Sequence, residues 1–149
     1  AARAVEEIVW AANPANDTLD SLVEYLIQYV TNQLSTAGIA CRIDSSYEWP
    51  SLNVTPERRH GVFLAFKESI NNVLKHARCL EVQLSIKPEK DWVNVRLADN
   101  GRGFDASREA AAGHNGLRNM AERMAMAGGT FHLESRPGGG TVVELRFPM

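Results

Sequence analysis

EVQLSIKPEKDWVNVRLADNGRGFD, residues 81–105, carries the pattern from which the architecture follows. Val82, Leu84 and Ile86 alternate with polar residues, and so do Val93, Val95 and Leu97. Alternation with a period of two on both sides of a polar segment predicts two strands, each with one wet and one apolar face, around a turn over residues 87–91. The pattern returns near the C-terminus. There Phe131 and Leu133, then Val143, Leu145 and Phe147, predict two more strands around a turn over residues 136–140. Strands in adjacent pairs build an antiparallel or mixed sheet, whereas a doubly wound parallel sheet needs strand and helix to alternate strictly.

Working upstream, Asp17 or Thr18 is placed to cap a long helix through LDSLVEYLIQYVTNQLSTA, and Gly38 falls where a left-handed C-cap belongs. Residues 39–44 read as a short strand and residues 45–53 as loop. Thr55-Pro56-Glu57 supplies a capping hydroxyl, a proline at the first helical position and an early acid, so a second helix starts there and runs to about Ala77. A third helix covers residues 117–127 and stops at Gly128-Gly129. At the front, residues 1–10 (AARAVEEIVW) read as the end of a helix that Asn13-Pro14 breaks. The chain opens at Ala1 without Met and enters a helical pattern at once, so a piece of a longer protein is expected. The expected fold class is α+β: a two-layer sandwich with helices on one face of the sheet.

Composition narrows the function. The 149 residues are 44% hydrophobic and 23% charged, enough to bury a core in one domain. With 16 Lys and Arg against 18 Asp and Glu, the formal charge is −2, and no block of like charge suggests binding to nucleic acid or a membrane surface. Cys41 and Cys79 lie far apart, outside any CxxC or Cys/His cluster, which disfavours a disulfide scaffold or structural zinc. No apolar run approaches the roughly 20 residues of a membrane helix.

Polar chemistry collects on the second helix. With Glu68 at zero and about 100° per residue, Asn72 falls near 40°, Lys75 near 340° and His76 near 80°. Val62, Phe66, Ile70, Val73 and Ala77 fall on the opposite side, so the core face is complete without the polar stripe. A solvated helix face looks the same, but two adjacent asparagines are poor choices for helix and solubility alike. Carboxylate, amide and ammonium within one turn suit a hard cation and phosphate oxygens.

Three glycine-rich segments follow. DNGRGFD, residues 99–105, puts an Asp at a strand end, then two glycines that let backbone approach a flat ligand; taken alone it is also an ordinary turn. GHNGL, residues 113–117, leads into a helix whose first amides suit phosphate, or is simply a helix start. GGGT, residues 138–141, opens the last strand and by itself reads as a hairpin turn. Neither GxxxxGK[ST] nor a GxGxxG between strand and helix occurs, which disfavours P-loop and dinucleotide folds.

Together and in order, these elements resemble the ATP-binding domain of the GHKL superfamily of gyrase-type ATPases, heat-shock chaperones, mismatch-repair ATPases and sensor histidine kinases. FKESINNVLKHA resembles the N box, and DNGRGFD, GHNGLRNM and GGGTVVELRFP resemble the first, second and third glycine boxes. ExxxNxxKHA and the short segment between the first two glycine boxes are similar to the nitrate-sensor-like class of histidine kinases. The resemblance implies a Bergerat-type fold with a mixed, mainly antiparallel sheet. It divides the chain into residues 1–15, the tail of a dimerising helix with its junction, and residues 16–149, the catalytic domain.

By position, the resemblance implies that Asn72 ligates Mg²⁺ and that Glu68 takes the place of the catalytic acid proposed to assist the acceptor histidine. Lys75 and His76 would lie near the phosphates of ATP. Asp99 would receive the exocyclic amino group of adenine, Gly101, Gly103 and Phe104 would lie along the base, Gly116 and Leu117 would end the lid, and Thr141 would support the adenine end. Implied partners are the dimerising phosphoacceptor helices of the same parent protein and a response regulator, with no nucleic acid and no membrane contact by this cytoplasmic domain. The second box departs from the family, since His114 fills a usual glycine position. None of His60, His76, His114 and His132 sits in an acceptor pattern, so the acceptor is expected elsewhere. Arg118 and Arg123 either touch phosphate or are solvated, and Trp10, Trp49 and Trp92 read as packing residues. Alternatives are a nucleotide-holding module without transfer, a serine kinase of the anti-sigma-factor type, and a plain ATPase.

Overall fold

The computed structural model describes residues 17–45, 47–105 and 116–149, with backbone alone at His76 and Ala77. Its elements are α1 (Leu19–Thr36), β1 (Ala40–Asp44), α2 (Pro56–Asn72) with a π-helical turn (Val73–Ala77), β2 (Glu81–Glu89), β3 (Trp92–Asp99), α3 (Gly116–Met126), β4 (Thr130–Ser135) and β5 (Thr141–Pro148). The expected helix over residues 1–10 lies outside the described residues.

The strands form one five-stranded sheet in the order β1-β2-β3-β5-β4. β1 runs parallel to β2, and every other pairing is antiparallel. The alternation read from the sequence is the alternation of burial. Val82, Leu84, Ile86, Val93, Val95, Leu97, Val143, Leu145 and Phe147 are all buried on one face. That face packs on Leu22, Leu26, Val30 and Leu34 of α1, Val62, Phe66 and Ile70 of α2, and Met124 of α3. The other face is polar and carries cross-strand ion pairs, among them Arg42–Glu81 at 3.0 Å and Lys87–Asp44 at 3.1 Å. Among the described residues the helices therefore cover one face only, the expected two-layer α+β arrangement.

Helix ends follow local chemistry with one exception. The Thr55 hydroxyl accepts the Arg58 N–H at 3.2 Å with Pro56 behind it, and Gly38 ends α1 at φ +74°. Thr18 stands at the N-cap of α1, but its hydroxyl donates to Ser21 Oγ at 2.9 Å and gives no cap. Asp17 does not cap either; its carboxylate pairs with the buried Arg59 of α2. The burial of a guanidinium is thus matched by an opposite charge.

Two boundaries differ from expectation. β2 continues through Pro88 to Glu89, leaving a two-residue turn at Lys90 and Asp91 instead of the wider turn expected. β1 pairs only as far as Ser85, so the missing Pro88 N–H leaves no partner from β1 unsatisfied. The second helix does reach Ala77, but its last five residues are π-helical, and Arg78 stops it in the left-handed region at φ 50°.

Candidate functional site

One cavity of about 680 Å³ lies between α2 and the sheet. Its helix wall is Glu68, Ser69, Asn72, Val73 and Lys75. Its sheet wall is Leu97 and Asp99 of β3, Leu133 of β4, and Thr141 and Val143 of β5. Arg102, Gly103, Phe104 and Pro137 from two loops, and Gly116 and Leu117 at the start of α3, complete it. Of the residues named from sequence, Glu68, Asn72, Lys75, Asp99, Gly103, Phe104, Gly116, Leu117 and Thr141 meet here. The His76 side chain, His114 and the first part of the second box lie outside the described residues.

Asp99 ends β3 opposite Thr141. Burial pushes its carboxyl above the usual carboxylate range, opposed by the N–H groups of Gly101 and Thr141. Gly101 donates to Asp99 Oδ1 at 2.9 Å. Gly101 is not among the residues that line the cavity, and its N–H holds the Asp99 carboxylate beside it. Gly103 lines the cavity at φ +62°, and a Cβ there would meet Arg136 O at 2.0 Å and Gly140 O at 2.8 Å. Its missing side chain makes room for the β4–β5 turn.

The loop after β3 and the β4–β5 turn are thus interlocked. Gly138 N donates to Arg102 O at 2.5 Å, Phe104 N donates to Ser135 Oγ at 2.8 Å, and a Cβ on Gly140 would meet Asp99 O at 2.2 Å. Behind Asp99, Asn100 Oδ1 accepts the N–H groups of Leu80 and Glu81, each at 3.0 Å, which ties the loop to the start of β2. Sequence reasoning missed Asn100, Arg102 and Ser135. An Asn after the Asp was visible, but its partners are nineteen and twenty residues away in the chain.

On the helix wall, Ser69 is buried with its hydroxyl on Ala65 O at 2.9 Å, while half-buried Glu68 and Asn72 and exposed Lys75 face the cavity. Glu68 Oε1 lies 3.3 Å from where a Cβ of Gly116 would stand, so α3 begins against this carboxylate. Arg118 pairs with Glu122 at 3.0 Å on the α3 surface, and neither it nor Arg123 lines the cavity. Trp49 packs against the core and Trp92 under Arg146, away from the cavity. His60 is exposed on α2, and His132 pairs with Glu134 on the outer face of β4.

The walls suit a ligand with a flat apolar part and an anionic part. Leu97, Leu133, Val143, Val73 and Phe104 provide apolar surface around one half-buried carboxylate. Lys75 and Arg102 supply cations, and Glu68 and Asn72 supply oxygen donors. Among the described residues no cluster of three or more His, Cys, Asp or Glu could hold a metal alone. That donor set fits a magnesium ion that takes one or two protein oxygens and fills its shell with phosphate and water.

The family described as "Histidine kinase-, DNA gyrase B-, and HSP90-like ATPase" matches residues 57–149. The sensor protein VraS of Staphylococcus haemolyticus is 34% identical over 88 residues, 59% of this chain and 25% of that protein. VraS of Staphylococcus aureus matches to the same extent, so the chain aligns with about a quarter of these curated relatives. In fold, it resembles the histidine kinase domain of the Erythrobacter litoralis EL346 blue-light activated histidine kinase, with a TM-score of 0.71 at 22% identity over 92% of this chain and 66% of that one. The Acinetobacter baumannii histidine kinase AdeS gives 0.62 at 15% identity over 89% and 65%. Since the family match runs unbroken from the start of α2 to the last residue and takes in every wall of the cavity, the chain belongs to the histidine kinase-, DNA gyrase B- and HSP90-like ATPases.

Proposed function

We propose that this chain is the ATP-binding catalytic domain of a two-component sensor kinase, which binds Mg-ATP and passes the γ-phosphoryl group to a histidine on dimerising helices. The observation that carries the reading is the pairing, in one cavity, of the half-buried Asp99 carboxylate among apolar side chains with the Glu68, Asn72 and Lys75 stripe. Asp99 accepts the exocyclic amino group of adenine, and Thr141 supports the same end. Phe104, Leu97 and Val143 cover the faces of the base. Lys75, with His76, lies along the phosphates, and Arg102 adds a cation from the loop. Asn72 offers its amide oxygen to Mg²⁺, which when bound offsets charge on the transferring phosphoryl group. Glu68 accepts a hydrogen bond from the N–H of the incoming imidazole, so that its other, unprotonated nitrogen attacks the γ-phosphorus while the bond to the bridging oxygen breaks and ADP leaves.

In this reading residues 1–15 are the tail of the second dimerising helix, residues 16–149 are the catalytic unit, a response regulator acts downstream, and the domain is cytoplasmic. No helix among the described residues is long and apolar enough to cross a membrane.

Radiolabelled ATP tests the reading, given to the chain alone and then mixed with the dimerising helices of its parent protein. Acid-labile label on the helices is expected, with none on this chain. Acid-stable label on this chain alone would favour the serine kinase instead. In calorimetry, Asp99→Asn keeps an acceptor but adds a mismatched donor and should cost about 1–3 kcal/mol of ADP binding. Unchanged affinity removes Asp99 from the base site.

A further inference from the structure

Ser135 closes the β4–β5 hairpin opposite Thr141, and its hydroxyl joins three segments. It accepts the Phe104 N–H at 2.8 Å, lies 2.8 Å from Thr141 Oγ1, and donates to Gly140 O at 3.2 Å. A hydroxyl has one hydrogen and two acceptor lone pairs. With its hydrogen on Gly140 O, its lone pairs take the Phe104 N–H and the Thr141 O–H, and every capacity of the oxygen is used. Thr141 has then given its hydrogen to Ser135 and keeps only acceptor capacity for the cavity it lines. Phe104, which lines the same cavity, is held by its backbone from the same oxygen.

We propose that Ser135 is a positioning residue of the nucleotide site: its hydroxyl makes Thr141 an acceptor and seats Phe104, so base affinity depends on a side chain that does not itself line the cavity. This rests on the reading of the Asp99 and Thr141 end as the base end. The alternation of β4 and the GGGT turn do not show it, because the bonds to Phe104 and Thr141 form only when two loops meet.

The test measures ADP binding to the 149-residue chain by calorimetry. Ser135→Thr and Ser135→Val have nearly the same shape and differ in the hydroxyl, so a purely structural role of bulk would move both alike. The Thr variant should bind within about twofold of the parent, and the Val variant about tenfold more weakly. Added to Thr141→Val, the Ser135→Val change should cost less than about threefold, because the Ser135–Thr141 bond is lost in both. If neither β-branched variant folds, Ser135→Ala takes their place, with the same tenfold loss expected. Parental affinity in Ser135→Val or Ser135→Ala, or full additivity with Thr141→Val, overturns the proposal while leaving the nucleotide reading intact. A parental chain that binds no ADP at millimolar concentration overturns that reading, and this inference with it.

Discussion

On the sheet wall of the cavity, the polar groups already have partners inside the protein. Asp99 holds Gly101, Ser135 holds Phe104 and Thr141, and Arg102 and Gly138 join across two loops. On the helix wall, Glu68, Asn72 and Lys75 line the same space, yet among the described residues they make no side-chain hydrogen bond or ion pair with one another. The first wall is a preformed shape, which binds a rigid ligand without reorganising. The second is a set of donors and charges standing ready for a ligand that brings its own charge. In the proposed reading, affinity for the flat part of a nucleotide would rest mainly on the sheet wall, and handling of its charged part mainly on the helix wall.

That division can be broken most directly at Glu68. Glu68→Gln keeps shape and removes the proposed base, so transfer to a supplied acceptor should fall by about a hundredfold or more, the range of general base catalysis. ADP affinity should stay within about twofold, since a base is needed in the transition state more than in binding. Kinetics and calorimetry on one preparation give both numbers. A parallel loss of affinity would mean that the helix wall also holds the ligand's shape, and the contrast would go.

Gly103→Ala attacks the sheet wall. The new Cβ would meet Arg136 O at 2.0 Å with φ at +62°, and backbone cannot swing aside as a side chain end can. A loss of about 2–3 kcal/mol in stability is expected, roughly 5–10 °C in a thermal melt. Gly116→Ala is the control across the cavity. Its nearest atom is a carboxylate oxygen at 3.3 Å, so its melt should match the parent within about a degree. Equal melts for the two variants would deny that the loops are locked.

How far the sequence reaches follows the same line. Patterns that repeat within a few residues were legible: the strand alternations, the Thr55-Pro56 helix start, and the polar stripe that Glu68 and Asn72 share. What stayed hidden depends on contacts distant in the chain or on backbone hydrogen bonding. VLKHA shows no residue that must be π-helical, so the register beyond Asn72 was invisible. Arg59 looked like any helical arginine, though it lies buried against Asp17 of another segment. Gly103 reads from the sequence as a close-approach glycine, but the approaching atoms belong to the β4–β5 turn.

Asn72 tests the helix wall more finely. It lines the cavity while its neighbour Asn71 does not. Asn72→Ala should abolish the gain in nucleotide affinity that magnesium gives, a change of about tenfold, and Asn71→Ala should leave that gain in place. Titrating ADP with and without magnesium reads both variants. The reverse result would shift the register of the whole polar stripe by one residue.

The smallest effect concerns what the sheet wall costs when nothing is bound. Burial raises the Asp99 carboxyl above its ordinary range, so the folded chain holds this proton more tightly than the unfolded one. Between the ordinary aspartate value of about 3.9 and the raised value, the native state carries more protons, and stability must fall as pH rises through that window. At neutral pH the ionised carboxylate therefore opposes folding, by less than about 1 kcal/mol because the group is only half-buried. Asn at this position keeps an acceptor for the Gly101 N–H and does not ionise. Unliganded Asp99→Asn should melt at or slightly above the parent at pH 7, and the gap should close as the buffer is taken toward pH 4. Should the variant melt lower at pH 7, the carboxylate is a brace for the Gly101 and Thr141 N–H groups. Should it melt higher while binding ADP less well, the charge is retained against the interest of the fold, which is what a group kept for a ligand looks like.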